Sequence, residues 1–289
     1  MSNLILIAGA TGSVGRALVA ELAKAEQPVR IRVLARNPER AAMLRGLSAP
    51  PWVGDATVPA ALAGSCDGVD VVFSSLGASV SPTSRDRRSY LDVDLVANRN
   101  LLAEAKRAGV RRFVYVSVFT RPAYEETAYV RAHEQFVAEL KASGLEYGVL
   151  RPTGLFSAFS EMLAMARKGR LPLIAGGAAE TNPLSEADLA ILSREAIFSG
   201  DPRIEIDVGG PEVLSRRKIA ALVFEALGRR PRFVPAPKWI MNMAAIAARP
   251  FNRRFAELLA FVTAASTTAC VATPFGSHRL SDYLRARAV

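Results

Sequence analysis

The first two dozen residues constrain this chain more than any other stretch. Leu4-Ile5-Leu6-Ile7 is an unbroken aliphatic run, the pattern of a strand buried on both faces of a parallel sheet. It breaks at once into Gly9-Ala10-Thr11-Gly12-Ser13-Val14-Gly15-Arg16, after which Leu18, Val19 and Leu22 recur at helical spacing. Strand, glycine turn and helix form the context in which such a turn binds a dinucleotide. The glycines let backbone approach a pyrophosphate, whose charge rests on the free N–H groups of the helix N-terminus. The spacing here is G-x-x-G-x-x-G rather than G-x-G-x-x-G, and a glycine-rich turn without a ligand is the plainer alternative.

The 289 residues suffice for one large domain or a domain with an appended lobe. Half are hydrophobic and 22% are charged, as in an ordinary globular protein. Cys66 and Cys270 match no metal spacing and no disulfide framework, so no metal is expected. Met1-Ser2-Asn3 carries no basic leader, and the expectation is a reducing cytoplasm. The net charge of +10 raises the question of nucleic acid. The basic residues are dispersed in short pairs (Arg87-Arg88, Arg111-Arg112, Arg216-Arg217, Arg253-Arg254) without interleaved aromatics, which reads as a solvated surface rather than a specific nucleic-acid site.

A second strand is expected over Val29–Leu34, and it runs into Arg36, twenty-one positions after Gly15. An acidic residue there accepts from the ribose 2′-OH of NAD, whereas an arginine accommodates the 2′-phosphate of NADP. With Arg36 at the strand end and Arg16 at the glycine turn as a second ligand, NADP is the expected cofactor. A short helix (38–47), a short strand (51–53), and a strand over Val69–Phe73 follow. The last opens into Ser74-Ser75-Leu76-Gly77, small residues that leave room for a ligand at the crevice. Residues 78–89 read as a mobile rim loop, Tyr90–Ala108 as one long helix, and Arg111–Ser117 as a fifth strand.

The turn Gly9-Ala10-Thr11-Gly12-x-x-Gly15 resembles the nucleotide-binding turn of the short-chain dehydrogenase/reductase superfamily, in its atypical, NmrA-like branch. The resemblance is good from Leu4 to about Gly154 and thin beyond. It implies that Gly54-Asp55 borders the adenine, with Asp55 accepting from its amino group and Ala56 a further cofactor contact, and that Ser117 hydrogen-bonds a substrate carbonyl. Asn100-Leu101-Leu102 match the family's long helix, while Asp94 and Ala97-Asn98 depart from it. The family's catalytic Tyr-x-x-x-Lys is matched by Tyr129 and, in place of lysine, His133. A neutral histidine does not apply a standing positive charge to the tyrosine. Leu150-Arg151-Pro152-Thr153-Gly154 resembles the segment whose backbone, at Pro152, faces the nicotinamide carboxamide.

Beyond Gly154 the expected order is a helix around Phe156–Met165, a connection over Leu171–Ile174, a helix from Pro183, a last strand over Ile204–Val208, and a helix over Ser215–Leu227. Two apolar stretches close the tail, Trp239–Ala248 and Leu258–Ala272, each too short to span a bilayer. They read as lid helices over the pocket, or as peripheral membrane contact through 239–272. Phe275–Tyr283 reads as a polar helix or turn. The expected fold is a doubly wound α/β Rossmann sheet, residues 1–154 with a strand near 204–208, and a mostly helical lobe from 155–289. The expected function is NADPH-dependent reduction of an apolar quinone, carbonyl or conjugated alkene. A non-catalytic NADP-binding sensor or scaffold is the alternative.

Overall fold

Residues 4–24, 29–44, 47–77 and 87–288 are described in a computed structural model. In chain order they form β1 (Leu4–Ala8), α1 (Ser13–Leu22), β2 (Arg30–Ala35), α2 (Pro38–Ala42), β3 (Trp52–Val53), β4 (Val71–Ser74), α3 (Val96–Arg107), β5 (Arg112–Val116), α4 (Pro122–Glu125), α5 (Ala128–Lys141), β6 (Glu146–Pro152), α6 (Ser160–Arg167), β7 (Leu171–Ile174) and β8 (Glu180–Thr181). They continue through α7 (Glu186–Phe198), β9 (Arg203–Gly209), β10 (Leu214–Ser215), α8 (Arg216–Ala226), β11 (Phe233–Ala236), α9 (Lys238–Ala248), α10 (Arg253–Thr267), β12 (Thr273–Pro274) and α11 (Leu280–Ala288). The rim loop expected over 78–89 lies, for residues 78–86, outside the described residues.

The central sheet has the order β3-β2-β1-β4-β5-β6-β9-β12, every neighbouring pair parallel. Parallel strands require crossovers, and the helices these supply cover both faces. β1 shows why its sequence is apolar throughout. Leu4 and Leu6 pack with Leu101, Leu102 and Ala105 of α3 and Phe136 and Leu140 of α5, while Ile5 and Ile7 pack with Leu18 and Leu22 of α1 and Ala190 and Ile197 of α7. After β1 the chain builds outward through β2 and β3, then returns to add β4 on the other side. That reversal makes the crevice between β1 and β4 the switch point where ligands bind in such sheets.

A second body follows β6. Phe156 and Leu163 join Leu171 and Leu173 of β7, Ile219, Val223 and Phe224 of α8, and Leu280 and Leu284 of α11 in a core of their own. The sheet begun before residue 154 is completed by β9, at the strand expected near 204–208, and by β12, while α7 packs on α1.

Several local expectations change. The helix expected from Tyr90 begins as a π turn, Leu91–Leu95, before α3, and this wider turn buries both Asp94 and Leu95. Such turns recur at functional sites. The segment 171–174 is a strand, not a connection, because β11 pairs with it from far along the chain. β9 is not the last strand, since β12 adds to its outer edge. α10 starts at Arg253, earlier than expected, because the Asn252 side chain accepts the Phe255 N–H and caps it. The closing helix is half-apolar: Leu280 and Leu284 are buried.

The arginine pairs also divide. Arg112 is buried, donating to the carbonyls of Ala196 (2.7 Å) and Asp201 (2.7 Å) and to Glu146 (2.9 Å). Arg254 is buried as well, and Arg216 is half-buried, donating to the Ala265 carbonyl at 3.0 Å. Strand alternation and helix facing send one member of a pair inward, so less of the basic character is surface charge than the composition suggests. Both cysteines are free and buried, and burial pushes the Cys66 thiol up to about 12. Among the described residues no helix is long and apolar enough to cross a membrane.

Candidate nucleotide and reductase site

The glycine turn sits at the carboxyl end of β1, and its three glycines do different work. Gly9 has φ +84°, and a Cβ there would lie 2.8 Å from the Ser75 carbonyl oxygen. A Cβ on Gly15 would lie 2.3 Å from the Gly9 carbonyl oxygen and 2.5 Å from the Ala10 Cα. Both are demanded by the fold. Gly12 is not: it is exposed, with φ −79° and ψ 175°, and a Cβ there would meet only the Gly9 carbonyl oxygen at 3.2 Å. Helix geometry leaves the N–H groups of Ser13, Val14 and Gly15 without intrahelical acceptors, and no side chain caps this end. Gly12 donates its own N–H to Gly9 (2.9 Å). Uncapped amides beside a glycine that the fold does not require fit a pyrophosphate.

Thr11 and Ser13 are partly exposed at this turn, Val14 is buried and Arg16 is exposed. Arg36 is exposed at the end of β2. Asp55 follows β3, and its Oδ1 accepts from Thr57 N (2.9 Å) and Thr57 Oγ1 (2.8 Å). Against the desolvation of partial burial, the Thr57 hydrogen bonds and the charges of Arg36 and Arg88 hold its carboxyl below the usual range. Arg36, Arg88 and Asp55 therefore share one electrostatic neighbourhood, with Arg88 a member that the sequence pattern did not single out. Ala56 is buried, its carbonyl accepting from Asn100 at 3.0 Å.

Across the crevice, Ser75 donates its N–H to the Ala8 carbonyl (3.1 Å), locking the β4 exit to β1. Asn98 holds the next residues: its Nδ2 donates to the Leu76 carbonyl (3.2 Å) and to the Asp94 carbonyl (2.7 Å), while its Oδ1 accepts from Ser74 (2.6 Å). Gly77 is exposed, and a Cβ on it would lie 3.7 Å from the Asp94 carboxylate.

Tyr129 and His133, four apart on α5, meet edge to face with ring centroids 4.7 Å apart. Tyr129 also packs on Tyr90 (5.0 Å) and on Phe261 of α10 (4.6 Å). His133 is buried, its Nδ1 2.6 Å from the Tyr115 hydroxyl and its Nε2 3.9 Å from Asp94 Oδ2, beyond hydrogen-bond range. Burial lowers the imidazole to about 4, so it is neutral at pH 7. With the Tyr115 hydroxyl donating to Nδ1, the ring proton sits on Nε2, toward Asp94. The Tyr129 hydroxyl is pushed well above its ordinary value, by burial first and then by Asp94 and Tyr90. The position of the family's lysine thus holds no cation.

Ser117 is committed elsewhere. Its hydroxyl donates to Glu134 Oε1 (2.9 Å), and Glu134 is held bidentately by Arg151 at 3.0 Å through each oxygen. Arg151 also reaches Glu205 at 3.1 Å. Pro152 is buried, its carbonyl accepting from Phe119 N–H at 3.0 Å. The structure brings Tyr129 and His133 together and ties Ser117 to the neighbouring ion pair. Tyr115 was detectable from strand alternation, since Phe113, Tyr115 and Ser117 share a face. Tyr90, Asp94 and Phe261 carried no such signal.

A family model described as NAD(P)H-binding matches residues 9–173. The chloroplastic divinyl chlorophyllide a 8-vinyl-reductase of Zea mays is 28% identical over 263 residues, 82% of this chain and 63% of that protein. The chain therefore spans under two-thirds of that relative's length. The (4-alkanoyl-5-oxo-2,5-dihydrofuran-3-yl)methyl phosphate reductase of Streptomyces griseus is 30% identical over 235 residues, 80% of this chain and 76% of that one. Among solved structures, the NADPH-dependent quinone oxidoreductase of Escherichia coli complexed with NADPH superposes with a TM-score of 0.76 at 20% identity, covering 98% of this chain and 99% of that one. With its glycine turn, its parallel sheet and the family model's match over more than half its length, the chain belongs to the NAD(P)H-binding family.

Proposed function

We propose that this protein reduces an apolar, electron-poor substrate, a quinone or a conjugated alkene, with NADPH as the reductant. The observation that carries this reading is the uncharged aromatic cluster Tyr90–Tyr129–His133–Tyr115 at the place of a tyrosine–lysine dyad. Bound NADPH supplies the hydride. The α1 amides hold its pyrophosphate, and Arg36, aided by Arg16, selects the 2′-phosphate over a bare ribose. Tyr129, Tyr90 and Phe261 form an apolar wall against which an apolar substrate can lie. Burial, Asp94 and Tyr90 push the Tyr129 hydroxyl up, and no cation among the described residues offsets them, so Tyr129 is a weak acid. Substrates whose reduced form takes its proton from water are favoured over simple ketones, which need a positioned acid. The relatives named as reductases of a vinyl group and of a dihydrofuran, and the quinone oxidoreductase of like fold, support this class.

Steady-state oxidation of NADPH against a quinone, an enone and a simple ketone tests the reading. The expected kcat/KM is at least about a hundredfold greater for the quinone or enone than for the ketone. A ketone reduced equally well would overturn it. A second reading, a non-catalytic NADP-binding sensor or scaffold, is favoured by one observation: the Ser117 hydroxyl and His133 Nδ1 are both occupied by protein groups. It predicts NADPH binding in calorimetry with no turnover on any of the three substrates.

A further inference from the structure

Alone among the described helices, α9 buries none of its residues. Trp239, Met243 and Ile246, at i, i+4 and i+7, line one face and are 67%, 58% and 66% exposed, with Phe251 beyond the helix at 79%. Met241, Ala245 and Ala248 form the stripe toward α10, and even these are only partly covered. Between Trp239 and Ala248 the one polar side chain is Asn242. A helix apolar on every side is ordinarily buried or in contact with lipid, and a contiguous exposed apolar patch marks an interaction surface.

The charge around it is one-sided. From Leu227 to Ala256 the chain carries Arg229, Arg230, Arg232, Lys238, Arg249, Arg253 and Arg254 and no aspartate or glutamate. Arg254 is buried, Arg253 pairs with Glu257, and Arg229 donates to the Arg167 carbonyl. Arg230, Arg232, Lys238 and Arg249 are exposed, with Lys238 and Arg249 at the two ends of the apolar helix itself. We infer that α9 docks the protein on an anionic lipid surface, lying in the plane of the interface. Its 11 residues span about 16 Å at ~1.5 Å per residue, roughly half of a ~30 Å hydrocarbon core. An apolar face with basic flanks and a tryptophan at its edge suits the boundary between headgroups and acyl chains. A second copy of this chain would bring the same basic rim against itself, which like-charge repulsion disfavours.

Docking does not depend on the reductase reading, but it gives that reading a route for substrate. α10 packs against α9 and carries Phe261, which lies against Tyr129. An apolar quinone dissolved in the bilayer would then enter beside the site.

The test is cosedimentation of the full chain with phosphatidylcholine vesicles, with and without phosphatidylglycerol. We expect binding to the anionic vesicles that weakens with salt, and little to the neutral ones. Each lost positive charge should weaken binding about fivefold, hence about 25-fold for Lys238→Gln/Arg249→Gln. Trp239→Asn/Ile246→Asn should release the protein even at low salt. These side chains are exposed, so circular dichroism and NADPH binding should stay native. Equal sedimentation of wild type and Trp239→Asn/Ile246→Asn would overturn the proposal. So would a dimer in light scattering that this variant abolishes while wild type ignores vesicles, which would assign the face to a second copy. Vesicle binding that survives alongside absent turnover would sink the reductase reading and leave this one standing.

Discussion

His133 offers a direct thermodynamic test of the uncharged site. An exposed histidine titrates near 6.5, whereas burial lowers this one to about 4. The unfolded chain therefore takes up the proton first as pH falls. His133 contributes nothing to pH dependence well above 6.5, and stability is lost progressively between about 6.5 and 4. Linkage over that ~2.5-unit gap amounts to about 3 kcal/mol below pH 4, and to about 2 kcal/mol between pH 7 and 5. The perturbation is His133→Gln, whose amide oxygen can still accept from Tyr115. Urea unfolding of both proteins at pH 7 and 5 isolates the term, because other titrating groups cancel in the difference. Wild type should lose about 2 kcal/mol more than the variant on acidification. If Asp94, 3.9 Å from Nε2, instead held the ring protonated, wild type would gain stability relative to the variant. An equal loss in the two proteins, or that opposite sign, would refute a neutral His133.

The remaining predictions concern cofactor and chemistry. Gly12→Ala should change stability by less than about 1 kcal/mol yet cut NADPH affinity at least about tenfold in calorimetry; unchanged affinity would mean the pyrophosphate lies elsewhere. Gly15→Ala, driven into Gly9 and Ala10, should destabilise by about 1–3 kcal/mol or more, read as a lower midpoint in urea. Arg36→Asp should weaken NADP binding by about 1.5–3 kcal/mol and leave NAD binding largely intact, and an equal loss for both would remove Arg36 from cofactor selection. Tyr129→Phe should lower quinone reduction by less than about tenfold, whereas a thousandfold loss in kcat/KM would make Tyr129 the working acid.

The nucleotide half of the site was legible because its signals are local. A strand apolar on both faces, a turn with glycines at three fixed offsets and a helix face at Leu18 and Leu22 are all properties of one short stretch. Arg36 stands at the end of the next strand, so its position followed from spacing alone. Tyr129 and His133 share a face because a helix repeats every 3.6 residues.

What the tertiary structure decided is which partner each face meets. Periodicity shows that Arg111-Arg112 alternate but not that Arg112 ends inside, against carbonyls contributed by Ala196 and Asp201. It shows an apolar run at Leu171–Ile174 but not the strand from Phe233–Ala236 that makes it a sheet. A serine after β5 reads as a substrate ligand, and only the fold shows its hydroxyl donating to Glu134, which Arg151 holds in turn. Asp94 reads as a departure from a pattern until the π turn places it beneath Gly77 and facing His133. Most sharply, α7 and α9 are both apolar helices by sequence; the sheet covers one, while among the described residues the main packing on the other comes from α10. Sequence specifies a surface that must leave water, and only the assembled chain determines whether the protein itself supplies the cover.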